Sequence, residues 1–185
     1  MQVRQPNSRR AVASSTGRVA NWDQRGAVAL DGRLVSYSWT YDFEAVAYRQ
    51  IRRRISADEG RTFGDATELD IADQPGHPAI LPDGRIVLAW VDRFGSRSIR
   101  ARLAAGIDAP FDPDTEVVLH EANRPQARGD SSSETTGDAL VEMQAWSYGL
   151  AFAETLPDGD VGVVHYAPGP TGGLDVRWVR LAVDG

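Results

Sequence analysis

The sequence predicts an all-β fold made of about three units, each containing four short antiparallel strands, and two observations carry this prediction. The first is a repeated hairpin pattern: an apolar run, an Asp-Gly turn and a second apolar run, found at 27–35, 79–87 and 154–162. Asp-Gly between two apolar runs is a strong hairpin signal because tight hairpin turns need positive φ. The first two copies lie roughly 50 residues apart, which is the period of a propeller blade.

The second observation is a strand-like segment after each hairpin, at 51–55, 99–103 and 176–181. The first two segments alternate apolar and basic residues with the period of two that is typical of a strand. The third fits less well because its spacing is one residue longer. A further short element follows at 66–69 and at 115–119 in the first two units. Four short strands per unit are the composition of a propeller blade.

Residues 48–55 also fit a second interpretation, a basic amphipathic helix with Tyr48, Ile51 and Ile55 on one face. Such a helix would suit a nucleic acid or a membrane surface. The matching segment at 99–103 is too short for a helix and lies between glycines. Consistency between the repeats therefore favours a strand.

Composition excludes several functional classes. The net charge is -6 and the isoelectric point is near 5.0, which argues against a nucleic-acid partner. No apolar run is long enough to cross a membrane, so we expect no membrane partner. The absence of cysteine excludes disulfides and thiolate zinc sites. The three histidines are scattered, so we expect no metal and no cofactor. The first ten residues lack the apolar segment of a secretory signal, and the sequence leaves the compartment open.

One motif stands between the third and fourth elements of the first unit, with the pattern Ser-x-Asp-x-Gly-x-Thr-aromatic. Its residues are Ser56, Asp58, Gly60, Thr62 and Phe63. An Asp in a tight turn can accept hydrogen bonds from nearby backbone N–H groups, and glycine supplies an angle that other residues resist. We therefore interpret the motif as a folding device. The second unit keeps only its terminal aromatic, at 104–111.

This motif, the repeat, and the segments 74–90, 146–166 and 175–178 make the chain resemble the sialidase (neuraminidase) superfamily, in particular its bacterial BNR or Asp-box repeat β-propellers. The resemblance implies the C-terminal half of a six-bladed β-propeller, with the Asp-box on a turn between outer strands. The expected division of the one partial domain, 1–185, is an outer strand of a preceding blade at about 1–20, a blade at about 21–72, a blade at about 73–125, a loop insertion at about 126–140 and a closing blade at about 141–185. Because a half-ring leaves blade faces unpaired, we expect missing N-terminal blades or a second copy to close it.

Ligands of propellers usually meet one end of the central channel, where inner strands begin and the loops after second strands lie. Aromatic faces can stack on sugar rings, and arginine can bind carboxylates with two hydrogen bonds. We therefore expect a carbohydrate ligand there. The residues expected at this mouth are Trp22, Asp23, Arg25, Trp39, Tyr41, Asp42, Gln74, His77, Asp92, Arg93, Trp146, Tyr148, His165 and Tyr166. The simpler interpretation of Trp39, Trp90 and Trp178 is packing between blades. The simpler interpretation of His77 and His165 is a structural role.

The resemblance also implies chemistry, because sialidases use three arginines on the substrate carboxylate, a tyrosine nucleophile assisted by glutamate, and an aspartic acid/base. The family's tyrosine aligns with Leu150, so Tyr148, two residues earlier, is the candidate nucleophile. In the family an arginine often precedes the proline of an inner strand, and in this chain Gly76 stands at that position. The other predicted catalytic residues are Arg93 and Asp92. The predicted substrate-binding residues are Arg25, His77, Trp146, Tyr41 and Gln74.

Three functional hypotheses remain open at this point. The first is a sialidase-like glycoside hydrolase, here an incomplete fragment, acting from the end of a glycan on a terminal sugar. The second is a non-catalytic carbohydrate-binding propeller, favoured by the shifted tyrosine. The third is a propeller that binds protein, since the fold alone does not fix the function.

Overall fold

A computed structural model describes residues 11–12, 18–122 and 146–184 of the chain. The predicted loop insertion at about 126–140 lies outside these residues, and so does nearly all of the predicted preceding strand. The described residues form twelve strands and no helix. The strands are β1 (Val19–Val28), β2 (Leu34–Asp42), β3 (Ala47–Ser56), β4 (Thr67–Glu68), β5 (Gln74–Pro75), β6 (Ala79–Ile80), β7 (Ile86–Asp92), β8 (Ser98–Ala104), β9 (Phe111–Glu121), β10 (Gly149–Thr155), β11 (Val161–Pro168) and β12 (Leu174–Leu181).

The strands form three antiparallel sheets that follow one another along the chain. Blade 1 has the order β1-β2-β3-β4, blade 2 has β5 and β6 beside β7, then β8 and β9, and blade 3 has β10-β11-β12. The three Asp-Gly turns join inner to second strands, and their glycines Gly32, Gly84 and Gly159 have φ of 84°, 91° and 94°. The predicted all-β fold, a partial β-propeller of about three antiparallel blades, is confirmed. The basic segment 48–55 lies in β3, so the strand interpretation is confirmed and the helix is wrong.

Two details differ from four continuous strands per blade. The inner strand of blade 2 is split into β5 and β6, because His77 between them pairs with the neighbouring blade instead. Its N–H donates to the Ala151 carbonyl at 3.1 Å, and its own carbonyl accepts from the Ala153 N–H at 3.1 Å. The following Pro78 has no N–H to offer a ladder. In its described part, blade 3 has three strands.

The cores lie between the blades. Alternate residues of each second strand point forward to the next blade or back to the previous one. Between blades 1 and 2 the core is built from large side chains, including Tyr37, Ile51, Trp90 and Phe111. Between blades 2 and 3 it consists mainly of small ones, with alanine and valine prominent among them.

The tryptophans expected to pack between blades behave differently from one another. Trp39 and Trp90 are buried, whereas Trp178 on β12 is 58% exposed. The face of blade 3 that carries Trp178 also exposes Phe152 and Val164, which are cross-strand neighbours. Among the described residues no further blade packs on this face, which explains the exposure of Trp178.

The Ser56–Phe63 turn lies between β3 and β4, the two outer strands of blade 1. The Asp58 carboxylate accepts hydrogen bonds from the Thr62 N–H at 2.8 Å, the Thr62 hydroxyl at 2.7 Å and the Ser56 hydroxyl at 2.8 Å. These donors lower the pKa of Asp58 to about 2, with the Thr62 N–H contributing most. Gly60 has a φ of 79°. Phe63 is half-buried. The contacts are local to the turn.

Candidate functional site

Three side chains occupy the same position in the inner strands of the three blades. Arg25, His77 and Phe152 each stand six residues before the Asp of the following Asp-Gly turn, and we call them the inner-strand row. The His77 ring stacks on the Phe152 ring, with centroids 4.3 Å apart and planes 10° apart. Burial lowers the pKa of His77, while the Glu154 carboxylate opposes this shift and Arg25 reinforces it. Phe152 remains 48% exposed, on the face of blade 3 that it shares with Trp178 and that no further described blade covers.

Asp23, two residues before Arg25, has an unusual backbone. Its φ is 43°, and it lies in an irregularity where the β1–β2 register shifts between Trp22 and Arg25. Leu150 is its equivalent in blade 3, with a φ of 51° and the same shift. Such bulges re-aim side chains, and left-handed residues other than glycine are uncommon. The bulge is therefore a repeated feature of the fold, and in blade 1 it carries a carboxylate.

The Asp23 carboxylate is held from the protein interior. Gln74, which is buried, donates its amide N–H to Asp23 Oδ2 at 2.6 Å. The Gln74 Oε1 atom accepts from Arg93 Nε at 3.0 Å and also from Arg93 Nη2. On the open side, Arg25 Nη2 lies 3.7 Å from Asp23 Oδ1, and about a quarter of each of these two side chains is exposed (27% and 28%). A buried arginine and an amide thus fix the orientation of an accessible carboxylate.

Arg93 itself is 4% exposed. Its Nη1 donates to the Tyr148 carbonyl at 2.9 Å, and its guanidinium lies 3.6 Å from the centroid of the Trp146 ring. Burial lowers the pKa of Arg93, and the neighbouring Tyr166 and Tyr148 hydroxyls counteract this shift. A Cβ on Gly149 would lie 2.7 Å from Arg93 Nη2. Arg93 therefore joins blade 2 to blade 3, with its donors directed at protein groups.

Asp73 is a buried acid that the sequence analysis did not identify. Its Oδ2 accepts from the backbone N–H groups of Arg93 at 2.8 Å and Phe94 at 3.2 Å. Burial raises the pKa of Asp73 to about 6, against the effect of these two donors. Its only sequence signal is its place directly before the inner strand of blade 2. Asp73 therefore fixes the backbone of Arg93 and so helps to position its side chain.

The predicted catalytic residues Tyr148 and Asp92 lie next to each other, and neither belongs to the inner-strand row. Tyr148 is fully buried, burial raises its pKa, and its hydroxyl donates to the Asp92 backbone carbonyl at 3.4 Å. The Asp92 carboxylate accepts from the N–H groups of Gly95 and Ser96, both at 2.8 Å. Asp92 thus caps its own turn, and Tyr148 belongs to the packing between blades 2 and 3.

The predicted aromatic residues form a packed cluster next to Arg93. Tyr41 is buried edge-on against Tyr48 at 4.9 Å, and Trp39 stacks on Tyr48 at 4.4 Å. Trp22 and Trp146 lie 6.4 and 5.9 Å from Trp39. Trp22 and Trp146 are half-buried, so they reach the surface beside Asp23, whereas Tyr41 does not.

Two further mouth residues lie in other surroundings. The Asp42 carboxylate is buried and binds Arg49 at 2.8 Å, which lowers the pKa of Asp42 to about 2. His165 is buried between blades 2 and 3, with its ring centroid 6.1 Å from that of His120, and both of its ring nitrogens lack a hydrogen-bond partner. Neither side chain contributes to the inner-strand row.

Within 11–12, 18–122 and 146–184, no group of three or more His, Cys, Asp or Glu side chains could hold a metal ion. The same stretches contain no helix with the length and apolar character needed to cross a bilayer.

No protein-family model matches the chain. Over 119 residues it is 31% identical to a UDP-N-acetylglucosamine--N-acetylmuramyl-(pentapeptide) pyrophosphoryl-undecaprenol N-acetylglucosamine transferase of Corynebacterium diphtheriae, an alignment that covers 64% of this chain and 32% of that protein. The chain thus spans about a third of the length of this relative.

Comparison with solved structures identifies the fold. A protein of unknown function from Dyadobacter fermentans matches 92% of this chain and 40% of its own length, with a TM-score of 0.64 at 21% identity. An endo-arabinase from Bacteroides thetaiotaomicron matches 97% of the chain and 61% of its own length (TM-score 0.52, 15% identity). A leech intramolecular trans-sialidase matches 86% of this chain and 23% of its own length (TM-score 0.51, 15% identity). The chain therefore has a β-propeller fold. It spans less than two thirds of each of these proteins.

Proposed function

We propose that this chain binds carbohydrate on the surface formed by its inner-strand row and Asp23, as part of a carbohydrate-active β-propeller. The observation that carries the proposal is the arrangement of this surface. An exposed aromatic ring on the inner strand of blade 3 stacks on His77, and the inner strand of blade 1 carries a carboxylate that the protein interior holds in place. Sugar-binding sites combine an aromatic face for the apolar side of the ring with fixed polar groups for its hydroxyls.

The contacts supply both parts of such a site. The exposed Phe152 ring, backed by His77, offers a flat apolar surface at the inner edge of blade 3. Asp23 offers acceptor oxygens and Arg25 offers donors. Because Gln74 and Arg93 already hold Asp23, little side-chain entropy remains to be lost when a ligand binds.

Substitution of Phe152 tests this proposal. Phe152→Ala removes the stacking surface, and we expect at least a tenfold loss of glycan affinity in titration calorimetry, against a panel of mono- and disaccharides. Val176→Ala is the matched control, because Val176 is 79% exposed on the same sheet but on the outer strand β12. The wild-type chain binding no glycan, or both variants binding as well as wild type, would refute the proposed site.

Glycoside hydrolysis, with the exo-acting sialidase-like activity implied by the resemblance, is a second candidate. The fixed Asp23 carboxylate favours it, because glycosidases commonly use positioned carboxylates as acid, base or nucleophile. The burial of Tyr148 and the occupied donors of Arg93 favour Asp23 over those residues as the reacting group. Release of nitrophenol from a panel of chromogenic glycosides by the wild-type chain, lost in Asp23→Ala, would support hydrolysis. Release that survives in Asp23→Ala would exclude this role of Asp23.

A further inference from the structure

We infer that the site selects a neutral sugar, recognised through a pair of neighbouring hydroxyls by Asp23 and Arg25, and discriminates against acidic sugars. This inference rests on the proposed carbohydrate binding and adds the class of ligand. It depends on which charged groups are accessible and which are already occupied.

Arg93 is the buried cation that holds Gln74. Its Nε and Nη2 donate to Gln74, its Nη1 donates to the Tyr148 carbonyl, and Trp146 covers one face of the guanidinium. A ligand carboxylate would have to displace these buried contacts. Displacement would leave the Gln74 and Tyr148 oxygens without donors, which is costly in a buried site. Arg93 is therefore a positioning residue for Gln74 and is not available to bind a ligand anion.

A ligand on the inner-strand row would meet both acidic and basic side chains. Asp23 and Glu154 are acidic, and Arg25, the basic side chain of the row, already lies 3.7 Å from Asp23 Oδ1. Both Glu154 and Arg25 act electrostatically on His77, so they border the row. An acidic sugar would meet two like charges and one cation whose charge Asp23 already partly balances. Like charges at close range disfavour binding.

The two carboxylate oxygens of Asp23 have different surroundings. Gln74 occupies Oδ2, so Oδ1 is the oxygen that faces Arg25. A carboxylate oxygen accepts from a sugar hydroxyl, and the guanidinium donates to the adjacent one. An acceptor beside a donor suits two neighbouring hydroxyls of an uncharged ring. The exposed Phe152 ring, on the same inner-strand row, offers the stacking face.

The test compares methyl glycosides of neutral sugars (arabinose, galactose and mannose) with those of N-acetylneuraminic and glucuronic acids, by saturation-transfer NMR and titration of the whole chain. We expect a neutral glycoside to bind at least tenfold more tightly than either acid, with little change between 50 and 300 mM NaCl. Tighter binding of an acid would overturn the inference and leave the proposed carbohydrate binding intact. Binding of no glycoside at all would refute the proposed function itself.

Asp23→Asn sharpens the test, because asparagine tolerates left-handed φ well and the variant should keep the fold. We expect at least a tenfold loss of affinity for the neutral glycoside, and a loss of preference over the acids. The matched control is Asp175→Asn on the exposed strand β12, which should leave both affinities unchanged. If the Asp23→Asn chain melts like wild type and still prefers the neutral sugar by the same factor, Asp23 does not select the ligand.

Discussion

The two blade interfaces are built from the same repeat but hold together differently. Blade 1 meets blade 2 through large side chains, with Tyr37 and Phe111 in ring contact at 6.0 Å and Arg53 donating across the interface. Blade 2 meets blade 3 through backbone hydrogen bonds at His77 and through small side chains. Large side chains can repack around a change, whereas backbones in contact cannot. The comparison teaches that a repeated sequence pattern does not imply equal tolerance to substitution.

Gly76 provides the largest test of this difference. A Cβ at this position would lie 2.3 Å from the Ala151 carbonyl oxygen and 2.5 Å from that of Ala89, both of which belong to the backbone. We expect Gly76→Ala to separate blades 2 and 3 and to lower the free energy of unfolding by about 3 kcal/mol or more. Urea unfolding followed by circular dichroism measures this loss.

Gly173→Ala is the matched control, because no atom lies within 4 Å of the position of its Cβ. It should change stability by less than about 0.5 kcal/mol. A Gly76→Ala chain that unfolds at the wild-type urea concentration would show that blades 2 and 3 are not in close backbone contact.

Arg53 tests the other interface. Its Nη1 and Nη2 donate to the carbonyls of Ala109 and Asp108 in blade 2, at 2.6 and 2.9 Å, and its side chain is buried. We expect Arg53→Met to cost about 2 kcal/mol, because it leaves two carbonyls without these donors but keeps most of the apolar contact. The exposed Arg61, changed to Met, is the control. A loss as small as that of the control would mean that aromatic packing alone holds this interface.

The parts of the fold that follow local chemistry could be predicted from the sequence. The Asp-Gly hairpins and β3 depend on turn geometry and on alternation within a few residues. The split inner strand of blade 2 also had a local signal, since Gly76 and Pro78 interrupt the strand pattern. The sequence could not indicate that His77 pairs with blade 3, because this contact joins residues 77 and 151–153.

The candidate site could be predicted only as a neighbourhood. Gln74 and Trp146 both contact Arg93, and His77 stands three residues after Gln74. Their hydrogen-bond partners could not be predicted, because Arg93 reaches a carbonyl of another blade and Gln74 reaches the bulged Asp23 of blade 1. A bulge depends on the register between two strands, which a single strand does not specify.

Substitution of Asp73 should change stability less than Gly76→Ala or Arg53→Met, and it should stabilise the chain where those two destabilise it. The pKa of Asp73 is raised to about 6, so the folded chain binds its proton more tightly than the unfolded chain does. Its contribution to stability is fully present below its ordinary pKa and is lost as the pH rises through about 6. Asp73→Asn keeps an acceptor for the N–H groups of Arg93 and Phe94. We expect it to stabilise the chain at pH 8 by about 1–2 kcal/mol, measured by urea unfolding, and by less at pH 4.5. Destabilisation at pH 8 would mean that the Asp73 charge is needed as a partner of Arg93.

Substitution of His165, which is buried between blades 2 and 3, should have the smallest effect on stability. Burial lowers the pKa of His165 and of His120, and Arg177, which pairs with His165 across β11 and β12, lowers both further. Both histidines therefore take up protons more readily in the unfolded chain. Their contribution to stability is present above the ordinary histidine pKa of about 6.5 and is lost as the pH falls below it.

The variant His165→Phe isolates this contribution, because both ring nitrogens lack hydrogen-bond partners and a phenyl ring keeps a similar shape. We expect stability close to wild type at pH 8 and a smaller loss than wild type on going to pH 5, by urea unfolding at both values. Asp73 acts in the opposite direction over this range, so the comparison is made in the Asp73→Asn background, which removes the titration of Asp73. Equal losses with and without His165 would show that its ring is hydrated or hydrogen-bonded in solution, and that blades 2 and 3 meet less tightly there than their small side chains suggest.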